Sequence, residues 1–149
     1  MSAEFFLRLL ERAHGHLGWL AVIALLHPAI LLRNPKRRAP LSVLLTALTV
    51  TAAGALGAWI YPDYRVLVKP LIFQDAPALG WWFERKEHLS VGALCFTWIG
   101  CIAHLIHPSC PPAQRPALAR IAWRASSLAL ALTAAVAAMG TVIASYRSF

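Results

Sequence analysis

The sequence predicts an all-α membrane protein, a bundle of four transmembrane helices. Three observations lead there. Of its 149 residues, 59% are hydrophobic and only 13% are charged, about half the charged share of an ordinary soluble domain. The mean hydropathy is +0.61. Four apolar runs each reach the roughly twenty residues that a helix needs to cross a hydrocarbon core of about 30 Å. The length fits a single domain, residues 1–149.

The first span is expected over residues 13–32, "AHGHLGWLAVIALLHPAILL". The preceding "AEFFLRLLER" sets Phe5, Phe6, Leu9 and Leu10 beside Arg8, Glu11 and Arg12. It reads either as an amphipathic lead-in at the interface or as a plain extension of the first helix. Glu4 and Glu11 stand where a cleavable leader would be basic, so the first span is expected to be kept. "RNPKRRAP" ends it, with Pro35 as a helix breaker. The second span is expected over 41–61, followed by an outer loop over 62–87. Tyr61, Tyr64, Trp81, Trp82 and Phe83 bracket that loop as an aromatic belt, and "VLVKPLIF" within it is apolar enough to dip into the interface. The third span is expected over 88–107 and the fourth, rich in alanine, over 116–145.

The net charge of +8 comes without any nucleic-acid-binding motif, so it is assigned to basic loops at a membrane face. Loops one and three share a face that carries seven Lys/Arg and no acid, with Arg33, Lys36, Arg37 and Arg38 packed into six positions. By the density of positive charge that face is placed in the cytoplasm and both termini outside, in a bacterial inner membrane. The three cysteines, Cys95, Cys101 and Cys110, show no CxxC or CxxCH pattern and no disulfide framework. Cys95 and Cys101 read as small apolar residues.

Histidine is a poor guest in lipid, yet the first and third spans hold three each: His14, His16, His27, and His88, His104, His107. Both spans run in the same direction. Measured from the span centres at 1.5 Å per residue, the pair His16 and His88 lies on average about 12 Å to the outer side, and the pair His27 and His104 on average about 8 Å to the inner side. His16 and His27 are eleven residues apart and fall within about 20° of each other on a helix. His88 and His104 are about 160° apart, so the third helix needs a kink, or His107 as the inner ligand. His14 reads as interfacial. Two facing histidines suit a haem iron ligated from both sides, and bundle cores build such sites from side chains on facing helices. Small residues that would make room are Gly15, Gly18, Gly92 and Gly100, with Thr46, Thr49, Ala53, Gly54 and Gly57 on the second span. Arg85 and Lys86 at the outer level, and Arg120 and Arg124 at the inner one, are placed to pair with propionates.

With these residues the chain resembles the small membrane-embedded b-type cytochromes in its four-helix architecture and histidine placement. That resemblance implies one or two b haems, ligated by His16, His27, His88 and His104, and a role in electron transfer as part of a redox complex, with quinone as a possible partner. Two other readings stay open. "HLIHPSC" sets His104, His107 and Cys110 at i, i+3 and i+6, donors that suit copper or zinc. The chain also fits a cofactor-free structural or assembly subunit of a membrane complex. No hydrolase or phosphate-binding pattern is present: there is no GxSxG, HExxH or phosphate loop. The expected role is an electron carrier or a subunit, not a stand-alone enzyme.

Overall fold

The computed structural model describes residues 3–149. Five helices follow in order: α1 (Ala3–Leu31), α2 (Pro40–Leu67), α3 (Lys69–Asp75), α4 (Pro77–Ile106) and α5 (Arg115–Tyr146), with a short 3-10 turn at His107–Ser109. α1, α2, α4 and α5 are long and apolar enough to cross a membrane, and no strand occurs among the described residues. The four-helix membrane bundle stands.

One boundary differs from expectation, and one open alternative is settled. The segment 62–87, expected as a loop, is helical almost throughout, because α2 continues past Pro62, α3 occupies its centre and α4 begins at Pro77. Pro70 and Pro77 fall in the first turns of α3 and α4, where the missing N–H is not needed. At the other end, "AEFFLRLLER" is continuous with α1, so it extends the first helix without a break.

Pro28 lies inside α1 and is almost fully buried. Its ring removes the N–H that would bond the carbonyl of Ala24. The Thr46 hydroxyl of α2 donates to that carbonyl instead, at 3.1 Å. A local defect in one helix thus becomes a tie to its neighbour.

Around the bundle the order is α1, α2, α4, α5. α4 packs most extensively on α5, α1 touches α2 and α5, and α2 touches α4. α1 and α4 stand at opposite corners and their backbones do not meet, and the same holds for α2 and α5. The core forms three layers. Leu32, Val43, Ala47, Cys101, Ala103 and Ala122 fill the end nearest the short connections. Ala21, Leu25, Val50 and Ala129 fill the middle. Tyr64, Val68, Ile72, Phe83 and Ile143 fill the end that carries the termini and α3.

The α4–α5 contact is set by Gly100. A Cβ there would come within 2.8 Å of Ser126 Oγ and 3.2 Å of the Ser126 backbone nitrogen. Lipid offers no hydrophobic drive between helices, so such close packing of small residues is what holds them. Gly100→Leu is therefore expected to push α4 off α5 and lower the thermal midpoint of the detergent-solubilised protein. Gly92→Ala, whose added carbon would meet Leu132 at an ordinary 3.4 Å, serves as the control and should leave the midpoint nearly unchanged.

Candidate functional site

Polar side chains gather at the two ends of the bundle, and histidines appear at both. At the terminal end, Lys69 at the start of α3 reaches back to α4. Its ammonium is 2.5 Å from Glu84 and 3.7 Å from Glu87, 3.5 Å from the Tyr61 hydroxyl, and lies over the rings of Tyr61 and Phe83. Phe83 stacks on Tyr64 at 5.0 Å, and Phe149 meets Tyr64 edge-on at 5.4 Å. The C-terminal segment is fastened there too: Phe149 N–H donates to Glu11 at 3.1 Å, and Arg147 pairs with Asp75 at 2.8 Å. Burial works against the Lys69 charge, but Glu84, Glu87 and Tyr61 together outweigh it and hold its pKa above the ordinary lysine value. Lys86 of α4 lies over Phe83 at 4.9 Å and beside Gly140.

His14 points into the bundle. Its Nδ1 is 3.0 Å from the carbonyl of Ala53. A carbonyl only accepts, so Nδ1 carries the proton and Nε2 keeps a lone pair. The ring fits because residue 57 is glycine: a Cβ there would lie 2.7 Å from the His14 ring. Sequence reasoning had placed His14 at the interface and given Gly57 to a cofactor. The available signal was the levelling of His14 with Gly57 on antiparallel neighbours.

The four expected haem ligands are not brought together. His16, His27 and His88 are exposed, on helices at opposite corners of the bundle. His16 has no hydrogen-bond partner among the described residues. His88 Nδ1 lies 2.7 Å from the carbonyl of Glu84 in its own helix. His104 is buried, but its Nε2 accepts the N–H of Ala39 at 3.1 Å, fastening the start of α2 to α4. The middle layer is filled, with Ala129 fully buried and Ala21 and Leu25 1% exposed. Residues so placed do not fit a bis-histidine haem inside a single chain. Arg85, Arg120 and Arg124 are exposed, Arg85 toward the terminal end on α4 and Arg120 and Arg124 toward the other end on α5. Gly15, Gly18 and Gly54 face open space and make room for nothing in the bundle.

His104, His107 and Cys110 do not form a metal-binding group, nor does any set of three His, Cys, Asp or Glu among the described residues. The helix gives way to a 3-10 turn at His107, and Pro108 and Cys110 offer their carbonyls to Arg115.

The remaining histidine has a distinct setting. His27 Nδ1 lies 2.6 Å from Ser42 Oγ, in an open groove of about 490 Å³ between α1 and α2, walled by Ala24, Leu41, Leu45 and Thr46. The groove faces outward from two helices that span the membrane, so it opens to lipid. The hydroxyls of Thr46 and Thr49 are spent on the carbonyls of Ala24 and Leu45 and that of Ser42 on His27 Nδ1, which leaves His27 Nε2 facing the groove without a partner among the described residues.

Comparison of the chain with protein-family profiles, with characterised proteins and with solved structures gave no match.

Lys69→Met is expected to leave Glu84 and Glu87 as unpaired neighbours and to cost about 1–3 kcal/mol, read as a lower thermal midpoint in detergent. Because the Lys69 pKa is raised on folding, its contribution is complete below the ordinary lysine value of about 10.4 and is lost as pH rises through the folded value. The midpoint difference between wild type and Lys69→Met should therefore be full at about pH 8 and shrink only as pH rises past the ordinary lysine value of about 10.4.

Proposed function

We propose that the chain is a subunit of a membrane redox complex and that the α1–α2 groove receives the carbonyl head of a lipid-soluble quinone. The observation that carries this reading is the His27–Ser42 pair, hydrogen-bonded at 2.6 Å inside a groove open to lipid. An ionisable group at such a depth is expensive in a membrane unless it has a task. With Nδ1 accepting the Ser42 hydroxyl proton, Nε2 carries the imidazole proton and is the donor offered to a quinone oxygen, and Ser42 fixes that tautomer. The apolar walls of Leu41, Leu45 and Ala24 suit its ring and tail, and the volume falls within the range of small-ligand sites, about 300–1,000 Å³. On this reading the basic end of the bundle lies in the cytoplasm of a bacterium, and the groove opens toward the inner leaflet.

A second reading rests on a different observation. His16 and His27 occupy one exposed stripe of α1 with Leu20, Ile23 and Ile30, at depths about 16 Å apart. If b-type haem belongs to this protein, its opposite axial ligands would come from a neighbouring chain docked on that stripe, and haem would supply one-electron transfer at that interface.

The test uses the purified full-length protein. A short-chain quinone should quench tryptophan fluorescence saturably; His27→Ala should weaken its binding by about tenfold, the 1.4 kcal/mol of one lost hydrogen bond, and Ser42→Ala, which only releases the imidazole to its other tautomer, should weaken it less. Non-saturable partitioning, or unchanged binding in both variants, would sink the quinone reading. A visible spectrum after dithionite reduction decides the second: sharp b-type bands that diminish in His16→Ala support it, and a colourless preparation from a haem-replete host removes it.

A further inference from the structure

The end of the bundle opposite the termini carries a second feature, independent of the groove. All six acidic residues of the chain lie in 4–11, 63–75 or 84–87, at the terminal end. The ion pairs of Lys69 and Arg147 form there as well. The other end gathers Arg33, Lys36, Arg37, Arg38, Arg115, Arg120 and Arg124 with no carboxylate to balance them.

Two of these cations converge on a recess. Asn34, Arg37 and Arg38 from the α1–α2 turn face His104 and His107 from the end of α4 across it. The charge of Arg38 acts on both histidines, and that of Arg115 on His107. The inner space is about 10 Å³, roughly one water or one oxygen atom, and it opens outward. The turn that supplies the arginines is held in shape. Asn34 Oδ1 accepts the N–H of Lys36 at 3.0 Å, and Arg37 N–H donates to the carbonyl of Asn34 at 3.0 Å. The Ala39 N–H is fixed on His104. Arg115 is held on the carbonyls of Cys110 and Pro108, so its charge stays beside His107.

We infer that this recess binds a phosphate group, one oxygen entering between Arg37, Arg38 and His107 and the others facing the interface. Guanidinium is the side chain best matched to phosphate, through paired N–H donors. An uncompensated cationic hollow at headgroup level is complementary to an anion and to nothing else on this chain. The phosphate of an anionic phospholipid meets that position by its ordinary place in the bilayer. A free phosphate would reach the same donors from water.

The experiment uses the full chain in detergent. Native mass spectrometry with added phosphatidylglycerol, phosphatidylcholine or inorganic phosphate reads binding directly. Phosphatidylglycerol should be retained over phosphatidylcholine, and Arg37→Gln and Arg38→Gln should each weaken it about fivefold, the effect of one basic residue at a membrane surface. Arg33→Gln and Lys36→Gln remove the same charge from the same turn without lining the recess, and should change binding little. Saturable phosphate binding that depends on Arg38 assigns the site to the free ion. Lipid binding without it assigns the site to the headgroup. Equal losses in all four variants, or equal retention of the two lipids, would overturn the inference, since either means diffuse charge and no site. Circular dichroism of each variant confirms that helix content is kept.

Discussion

The fold rests on how closely α4 and α5 approach at Gly100. Water provides no drive between helices inside a bilayer, so the contact must come from van der Waals packing and from polar ties. Gly100, Ala122 and Ser126 supply the first: the glycine lets the α5 backbone come nearer than any side chain would allow. The other two helices are then fastened by hydrogen bonds. Thr46 and His14 join α1 and α2 through the carbonyls of Ala24 and Ala53. Trp19 joins α1 to α5 through Thr141, and Trp98 joins α4 to α2 through Thr51. Each tie spends a polar group that lipid would penalise if it were left alone.

The number and nature of the long helices were legible in the hydropathy, because a span is defined by its apolar length. Their ends were not. The segment 62–87 reads as a loop, yet Pro70 and Pro77 occupy first turns where proline is accepted and Pro62 lies within α2. Hydropathy also falls at Lys69, Glu84 and Glu87, which looks like solvent. In the structure these charges neutralise one another against Tyr61 and Phe83, and helix persists through them.

The histidines show a different limit. Spacing tells which residues share a face of a helix but not where the face points. His16 and His27 are matched in phase, and both are exposed. His14, only two residues from His16 and so about 160° away by helical geometry, is the one directed inward. His104 was singled out for its depth, and it is buried, but its nitrogen is used by the turn before α2. Neither outcome is written in one helix alone. Both depend on which corner of the bundle that helix occupies, and the adjacency of α1 with α2 and α5, not with α4, is a property of the packed whole.

The two ends of the bundle then differ for a physical reason. At the terminal end cations and carboxylates are matched, so the charge is internal and serves to tie α3 and the C-terminal segment to α4 and α1. At the other end the charge is single-signed, and no carboxylate among the described residues pairs with it. Like charges held together raise the free energy of the fold, and the turn at 34–38 is braced by hydrogen bonds instead of being allowed to spread. A braced, repulsive arrangement is stabilised by whatever anion occupies it. His27 and Ser42 lie just inside this end, with Ser42 in the first turn of the helix that the Ala39–His104 bond positions. An anion that settles the 34–38 turn would therefore also settle the start of α2, and with it one wall of the groove. The recess proposed to hold phosphate and the groove proposed to receive quinone thus share the α1–α2 connection, Ser42 lying four positions after Arg38, although their donors are separate.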